Sequence, residues 1–202
     1  MFDFGGVISS SPFEAFARFE HENGLPPDFI RRVNATNPDD NAWARLERSE
    51  VDLDEFGTLW SAEARALGHD VDGRLVLQIL SGAIRPRMVA AVRTCRTAYK
   101  TACLTNNFLS AEAVASEAVA EVYALFDAVL ESSALGVRKP DPRFYELACE
   151  AVGVLPDEAV FLDDLGMNLK PARALGMHTI KVTEPDEALA ELARLTGLSF
   201  DG

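Results

Sequence analysis

The chain has 202 residues, enough for one α/β domain with a sizeable core and one insertion, and too few for two full domains. Its 32 acidic residues against 19 Lys and Arg leave a net charge of −13, which argues against a nucleic-acid or anionic-membrane surface. No apolar run approaches the roughly 18–20 residues of a membrane span, and Cys95, Cys103 and Cys149 show neither disulfide nor zinc spacing, so a reducing, cytoplasmic setting is expected.

Phe2 to Phe4 reads as a first strand, although only two residues precede Asp3, too few for a central strand, and residues upstream of Met1 are expected. The next stretch is helical. Ser11-Pro12-Phe13-Glu14 has the form of a capping box with proline at the first helical position, followed by Phe13, Phe16 and Phe19 at helical spacing and a stop at Asn23-Gly24. A short helix is predicted after Pro26-Pro27, and another from an Asn37-Pro38 cap through Trp43 and Leu46. Asp52, with Glu55 three residues on, opens a longer helix that ends at Gly68, and Asp72 opens a fifth.

After Arg85-Pro86, helix and strand alternate. Short apolar runs at Thr101 to Leu104, Phe126 to Leu130, Ala159 to Leu162 and Thr179 to Val182 are separated by amphipathic segments of helix length. This is the βαβ pattern of a doubly wound, Rossmann-like parallel sheet of about five strands, with the helical stretch inserted after the first strand. The predicted division is a core of residues 1–10 and 84–202 and a helical unit of residues 11–83. Trp43, Trp60 and the phenylalanine stripe are assigned to the core, and His21, His69 and His178, without partner spacing, receive no chemistry.

In open parallel sheets, ligands sit at the carboxyl ends of the strands, so the residues just after each apolar run are the informative ones. They are Asp3-Phe4-Gly5-Gly6, Thr105-Asn106-Asn107 and Asp163-Asp164, with Gly136-Val137-Arg138-Lys139-Pro140-Asp141-Pro142 before the fourth strand. One carboxylate, a hydroxyl, a lysine and an acidic pair converge at one edge. With a net acidic surface, an anionic substrate has to be drawn by local cations such as Lys139.

In order and spacing these four segments resemble the motifs of the haloacid dehalogenase superfamily. Within it, Val160-Phe161-Leu162-Asp163-Asp164-Leu165-Gly166-Met167-Asn168-Leu169-Lys170 and Lys139-Pro140-Asp141-Pro142 are most similar to the phosphatase domain of soluble epoxide hydrolases and to the equivalent domain of acyl-CoA dehydrogenase family members. The resemblance implies that Asp3 attacks phosphorus to form an aspartyl-phosphate. It implies Mg²⁺ held by Asp3, Asp164 and the Gly5 carbonyl with Asp163 beside them. Thr105 and the Asn106 backbone would receive phosphate oxygens, Lys139 would offset their charge, and Asn168 would orient the acidic loop or touch the substrate. The helical unit corresponds to a substrate-selecting cap, and the implied substrate is a small phosphorylated metabolite.

One position departs from the pattern: the family's second aspartate, the general acid and base, is Gly5 here. Loss of that carboxyl removes a contribution on the order of 10²–10⁴-fold. The alternatives are therefore a phosphate- or metal-binding protein with little turnover, and a metal-free dehalogenase-type hydrolase, against which the acidic pair and Thr105 count.

Overall fold

The computed structural model describes residues 1–80, 82–107 and 117–200. Four strands, β1 (Ala102–Thr105), β2 (Ala128–Glu131), β3 (Val160–Asp163) and β4 (His178–Lys181), form two parallel pairs, β1 with β2 and β3 with β4. Each lies within two residues of its predicted apolar run. The N-terminal segment joins the two pairs: Phe2 bridges in parallel to both Cys103 and Leu162. Its backbone is bonded on both edges, Phe2 N–H to Ala102 O at 2.8 Å and Leu104 N–H to Phe2 O at 2.8 Å on one side, Asp3 N–H to Leu162 O at 2.9 Å and Leu162 N–H to Met1 O at 3.0 Å on the other. The segment expected to be too short for a central strand is thus the middle of the sheet, because three residues suffice: Phe2 bonds β1 through both its backbone groups, and Met1 C=O with Asp3 N–H bonds β3.

Side chains alternate across this sheet. Phe2, Cys103, Leu162 and Ile180 pack with Met88 and Val92 of α6 (Pro86–Arg96), Val122 of α7 (Glu117–Tyr123) and Leu189 of α11 (Pro185–Thr196). Ala102, Leu104, Leu130 and Phe161 face the other way, onto Phe144 and Tyr145 of α9 (Pro142–Val152) and Leu169 of α10 (Gly166–Ala174). Period-two alternation with apolar residues on both faces is what two helical layers require of a parallel sheet.

Between Ser9 and Ile84 the chain is helical: α1 (Phe13–Glu22), α2 (Phe29–Ala35), α3 (Ala42–Glu47), α4 (Leu53–Ala66) and α5 (Gly73–Gln78). These helices bury a separate apolar cluster that includes Phe16, Phe29, Phe56 and Trp60. The two crossing strands of chain pair at their base, Ser9 against Ile84, with Ser10 N–H to Ala83 O and Arg85 N–H to Ile8 O, both 2.8 Å. The Asp52–Glu55 capping box forms as predicted. Two other caps differ. Pro12 itself is the N-cap of α1, so Ser11 is one residue too early to close a box, and its hydroxyl accepts only a long bond from Phe13 N–H at 3.4 Å. Asn41, and not Asn37, caps α3, accepting from Ala44 N–H at 2.8 Å, while Asn37 takes φ 49° in the turn before it. No helix among the described residues is long and apolar enough to cross a membrane.

Trp60 is fully buried, and its indole N–H donates to Asn34 Oδ1 at 2.8 Å, tying α4 to α2. Trp60→Ala is expected to cost about 3–5 kcal/mol through the cavity and the orphaned amide, read as a lowered midpoint in urea unfolding; an unchanged midpoint would show that the helical cluster adds nothing to global stability.

Candidate active site

The sheet order, β2, β1, the N-terminal segment, β3, β4, reverses direction at the N-terminal segment, and Asp3 stands at that reversal point, at the carboxyl end of the sheet. The loop Phe4–Ile8 that follows is closed by Ser9 N–H donating to Phe4 O at 2.9 Å. Asp3, Asp163 and Asp164 bring carboxylate oxygens within 4.8 Å of one another. Lys139 is 1% exposed, and its ammonium lies 2.8 Å from Asp3 Oδ1 and 2.8 Å from Asp163 Oδ2. Asp3 Oδ1 also accepts from Phe4 N–H at 2.7 Å.

Asp163, sought as a metal neighbour, spends its oxygens inside the protein. Oδ1 accepts from Leu165 N–H at 2.8 Å, Oδ2 takes Lys139, and Asn168 Nδ2 lies 3.0 Å from both oxygens. Asp163 therefore holds Lys139 and the acidic loop. Asn168, assigned above to substrate contact or to loop orientation, is buried with its side-chain amide donating to Asp163 and its backbone carbonyl accepting from Tyr145 Oη at 2.7 Å. Asp164 is the more accessible member of the pair.

Asn106 is placed as a clamp. Its side chain accepts from Lys139 N–H and donates to Lys139 O, both at 2.9 Å, gripping the backbone of the lysine that reaches Asp3. Thr105 is buried at the end of β1 and hydrogen-bonds with Tyr123, whose ring also packs edge-on against Phe4 with centroids 5.3 Å apart. Asn107 and Ser132 exchange bonds at 3.0 and 3.1 Å, locking the loop after β1 to the one after β2.

Gly5 and Gly6 answer different demands. Gly6 has φ +78°, and a Cβ there would lie 2.2 Å from Asp164 Oδ2, so only glycine lets the acidic pair approach. Gly5 has φ −68° and ψ 129°, and a Cβ would meet nothing within 4 Å. This position is open and unstrained. Arg85 holds this loop from outside, Nη1 donating to Gly6 O at 2.6 Å. Arg85, Tyr123, Arg138 and Glu47 were not selected from sequence; only Arg138, beside Lys139, carried a positional signal.

The electrostatics show a shortage of positive charge. Burial pushes Asp3 well above the usual carboxylate range, Lys139 opposes this, and Asp163 and Asp164 push it up further. Burial, then Asp163, raise Asp164 to about 6. Burial works to lower Lys139, but Asp163 and Asp3 outweigh it, so the ammonium stays charged. One buried ammonium beside two buried carboxyls and the half-buried Asp164 leaves room for a further hard cation, and an all-oxygen donor set is what Mg²⁺ takes. The residues present fit that ion.

A doubly wound sheet with an acidic crevice and a buried lysine at its reversal point defines the class: an α/β protein with one charged site at the strand ends. Residues 2–176 match the haloacid dehalogenase-like hydrolase family, and the chain belongs to it. It is 36% identical to mouse (Mus musculus) acyl-CoA dehydrogenase family member 10 over 98% of its length and 19% of that protein. It is 32% identical to bifunctional epoxide hydrolase 2 of Sus scrofa over 99% of its length and 39% of that protein. The chain thus spans less than two fifths of either curated relative. A family enzyme from Bacteroides thetaiotaomicron, solved with magnesium and inorganic phosphate, superposes with a TM-score of 0.60 at 21% identity, covering 89% of this chain and 91% of that one.

Two outcomes follow from the loop and the acidic pair. Gly5→Ala is expected to leave unfolding free energy within about 0.5 kcal/mol of wild type or slightly above it, while Gly6→Ala loses about 1–3 kcal/mol; equal losses in denaturant titrations would contradict the distinction. Asp164 has a folded pKa above its ordinary 3.8, so its contribution to stability is fully present below that value and is lost as pH rises through about 6. In chelator, the melting temperature of the wild type should therefore fall relative to Asp164→Asn between pH 4 and 7. Parallel profiles would show that Asp164 titrates normally.

Proposed function

We propose that this hydrolase is a Mg²⁺-dependent phosphatase or phosphotransferase acting on a small phosphorylated metabolite, with Asp3 as nucleophile. The observation that carries the reading is the Lys139 ammonium set 2.8 Å from both Asp3 and Asp163. Lys139 and Phe4 N–H hold one oxygen of Asp3, which fixes the carboxylate plane and turns the second oxygen to the substrate. That oxygen attacks phosphorus, the ester oxygen leaves, and water then cleaves the aspartyl-phosphate. Thr105 and the Asn106 backbone receive the phosphoryl oxygens, and Lys139 offsets their charge. Asp3, Asp164 and the Gly5 carbonyl would hold Mg²⁺, which when bound supplies charge neutralisation between nucleophile and phosphate. The helices between Ser9 and Ile84 serve as the cap that selects the substrate, and the chain works in the cytoplasm. Support for phosphate and magnesium comes from the Bacteroides thetaiotaomicron relative, solved with both.

With Gly5 in place of the acid, the leaving oxygen departs without a proton from that position. Acyl, aryl and anomeric phosphates are therefore the favoured class, and simple alkyl esters the poor one. Gly5 also favours a second reading, a protein that binds phosphate or Mg²⁺ with little turnover. A panel of phosphate esters assayed with Mg²⁺ and with chelator separates the two: metal-dependent hydrolysis that climbs with leaving-group acidity supports the enzyme, and binding without turnover supports the second reading.

Asp3→Asn should fold and lose all turnover; rates near wild type would sink the covalent route. Asp164→Ala should abolish Mg²⁺ binding in calorimetry, and wild-type Mg²⁺ affinity should itself weaken below pH 6, where protons compete for Asp164. Gly5→Asp, for which there is open space, should raise turnover of alkyl phosphates at least about tenfold, equal to about 1.4 kcal/mol of barrier. A folded, Mg²⁺-binding Gly5→Asp variant with no gain on any ester would favour the binding protein.

A further inference from the structure

The helical segment reaches the loop behind Lys139 through one buried carboxylate. Glu47, the last residue of α3, is 6% exposed. Its Oε1 accepts from Trp43 Nε1 at 2.9 Å, a contact within α3. Its Oε2 faces the core, 2.7 Å from Arg138 Nε and 3.3 Å from Asn106 Nδ2. The first of these is an ion pair that lies off the hydrogen-bond axis of Nε. The same Asn106 amide is the clamp on both backbone groups of Lys139.

Arg138 and Lys139 are consecutive and point to opposite sides, one cation to Glu47 and the next to Asp3 and Asp163. Arg138 Nη1 also donates to Pro38 O at 3.1 Å, and Ser49 Oγ donates to Ser133 O at 3.0 Å, so these two contacts, like that of Glu47 with Arg138, join the helical segment to residues beside the site. Burial pushes the Glu47 carboxyl up, with Arg138 as the chief opposing influence. An apolar side chain would fill this position without the desolvation cost of a buried ion pair. What the carboxylate adds is a directed contact.

We propose that Glu47 is a positioning residue for the Asp3 site: by holding Arg138 and Asn106 it seats the loop whose next residue, Lys139, fixes the nucleophile. Docking of α3 and alignment of the nucleophile are then one event. The consequence for turnover rests on the phosphohydrolase reading above; the consequence for the loop does not.

The test uses the full chain with Glu47→Ala and with Glu47→Gln/Arg138→Gln, the second leaving no uncompensated charge if the first fails to fold. Hydrogen exchange at the Lys139 backbone N–H, whose acceptor is Asn106 Oδ1, should accelerate by about tenfold or more while exchange in α4 stays at wild-type rates. With an aryl phosphate and Mg²⁺, kcat should fall about tenfold and KM should change less than about threefold, the pattern of a lost alignment rather than lost binding. Wild-type exchange at Lys139 in a folded variant, or equal acceleration throughout α3 and α4, would overturn the proposal, the latter showing a merely structural role. If the wild type hydrolyses no ester, faster exchange confined to the Lys139 loop upholds the positioning role while the phosphohydrolase reading falls.

Discussion

The site depends on one buried ammonium. Lys139 is inside a crevice with three carboxyls, bridging two of them, and every other arrangement nearby serves to keep it there. Asn168 fixes the carboxylate of Asp163 that receives it, and Asn106 fixes its backbone on both sides. A lysine so placed loses its rotamer freedom and its hydration together, which is tolerable only because two anions face it. The geometry that follows is an Asp3 carboxylate with one oxygen restrained by Lys139 and by Phe4 N–H.

The neighbouring glycines answer different demands of the backbone. Gly6 is required by the close packing of Asp164 and by its own positive φ, whereas Gly5 occupies a conformation any residue could take. The backbone at Gly5 thus sets no bar to a side chain. The fold remains able to accept one.

Much of this architecture was legible in the sequence because it rests on period and punctuation. The four apolar runs in the second part of the chain found their strands within two residues, and Asp52 with Glu55 found its cap, since both signals are local. Asp3, Lys139, Asp163 and Asp164 could be gathered in advance because strand ends of a parallel sheet share one edge. The central position of Met1–Asp3 was missed because strand length says little about how many neighbours a strand has. The capping positions of Pro12 and Asn41 shifted by a turn's geometry that composition does not carry. The division of labour between Asp163 and Asp164 depends on which oxygen meets which donor, and Glu47 depends on a fold-level meeting of residues distant in sequence; neither leaves a mark in spacing.

The paired backbone at Ser9 and Ile84 has a consequence for how such a chain can change. The helical segment departs from and returns to the same point, with its two ends hydrogen-bonded to each other, about 5 Å apart as in any antiparallel pair. Seen from the sheet, everything between them is an excursion that leaves the strand pairing beneath unbroken. A different helical unit with adjacent termini could be exchanged at this junction, provided that it brings a partner for Arg138 and Asn106 in place of Glu47. The module can then be replaced as a whole, without passage through variants that disturb the sheet.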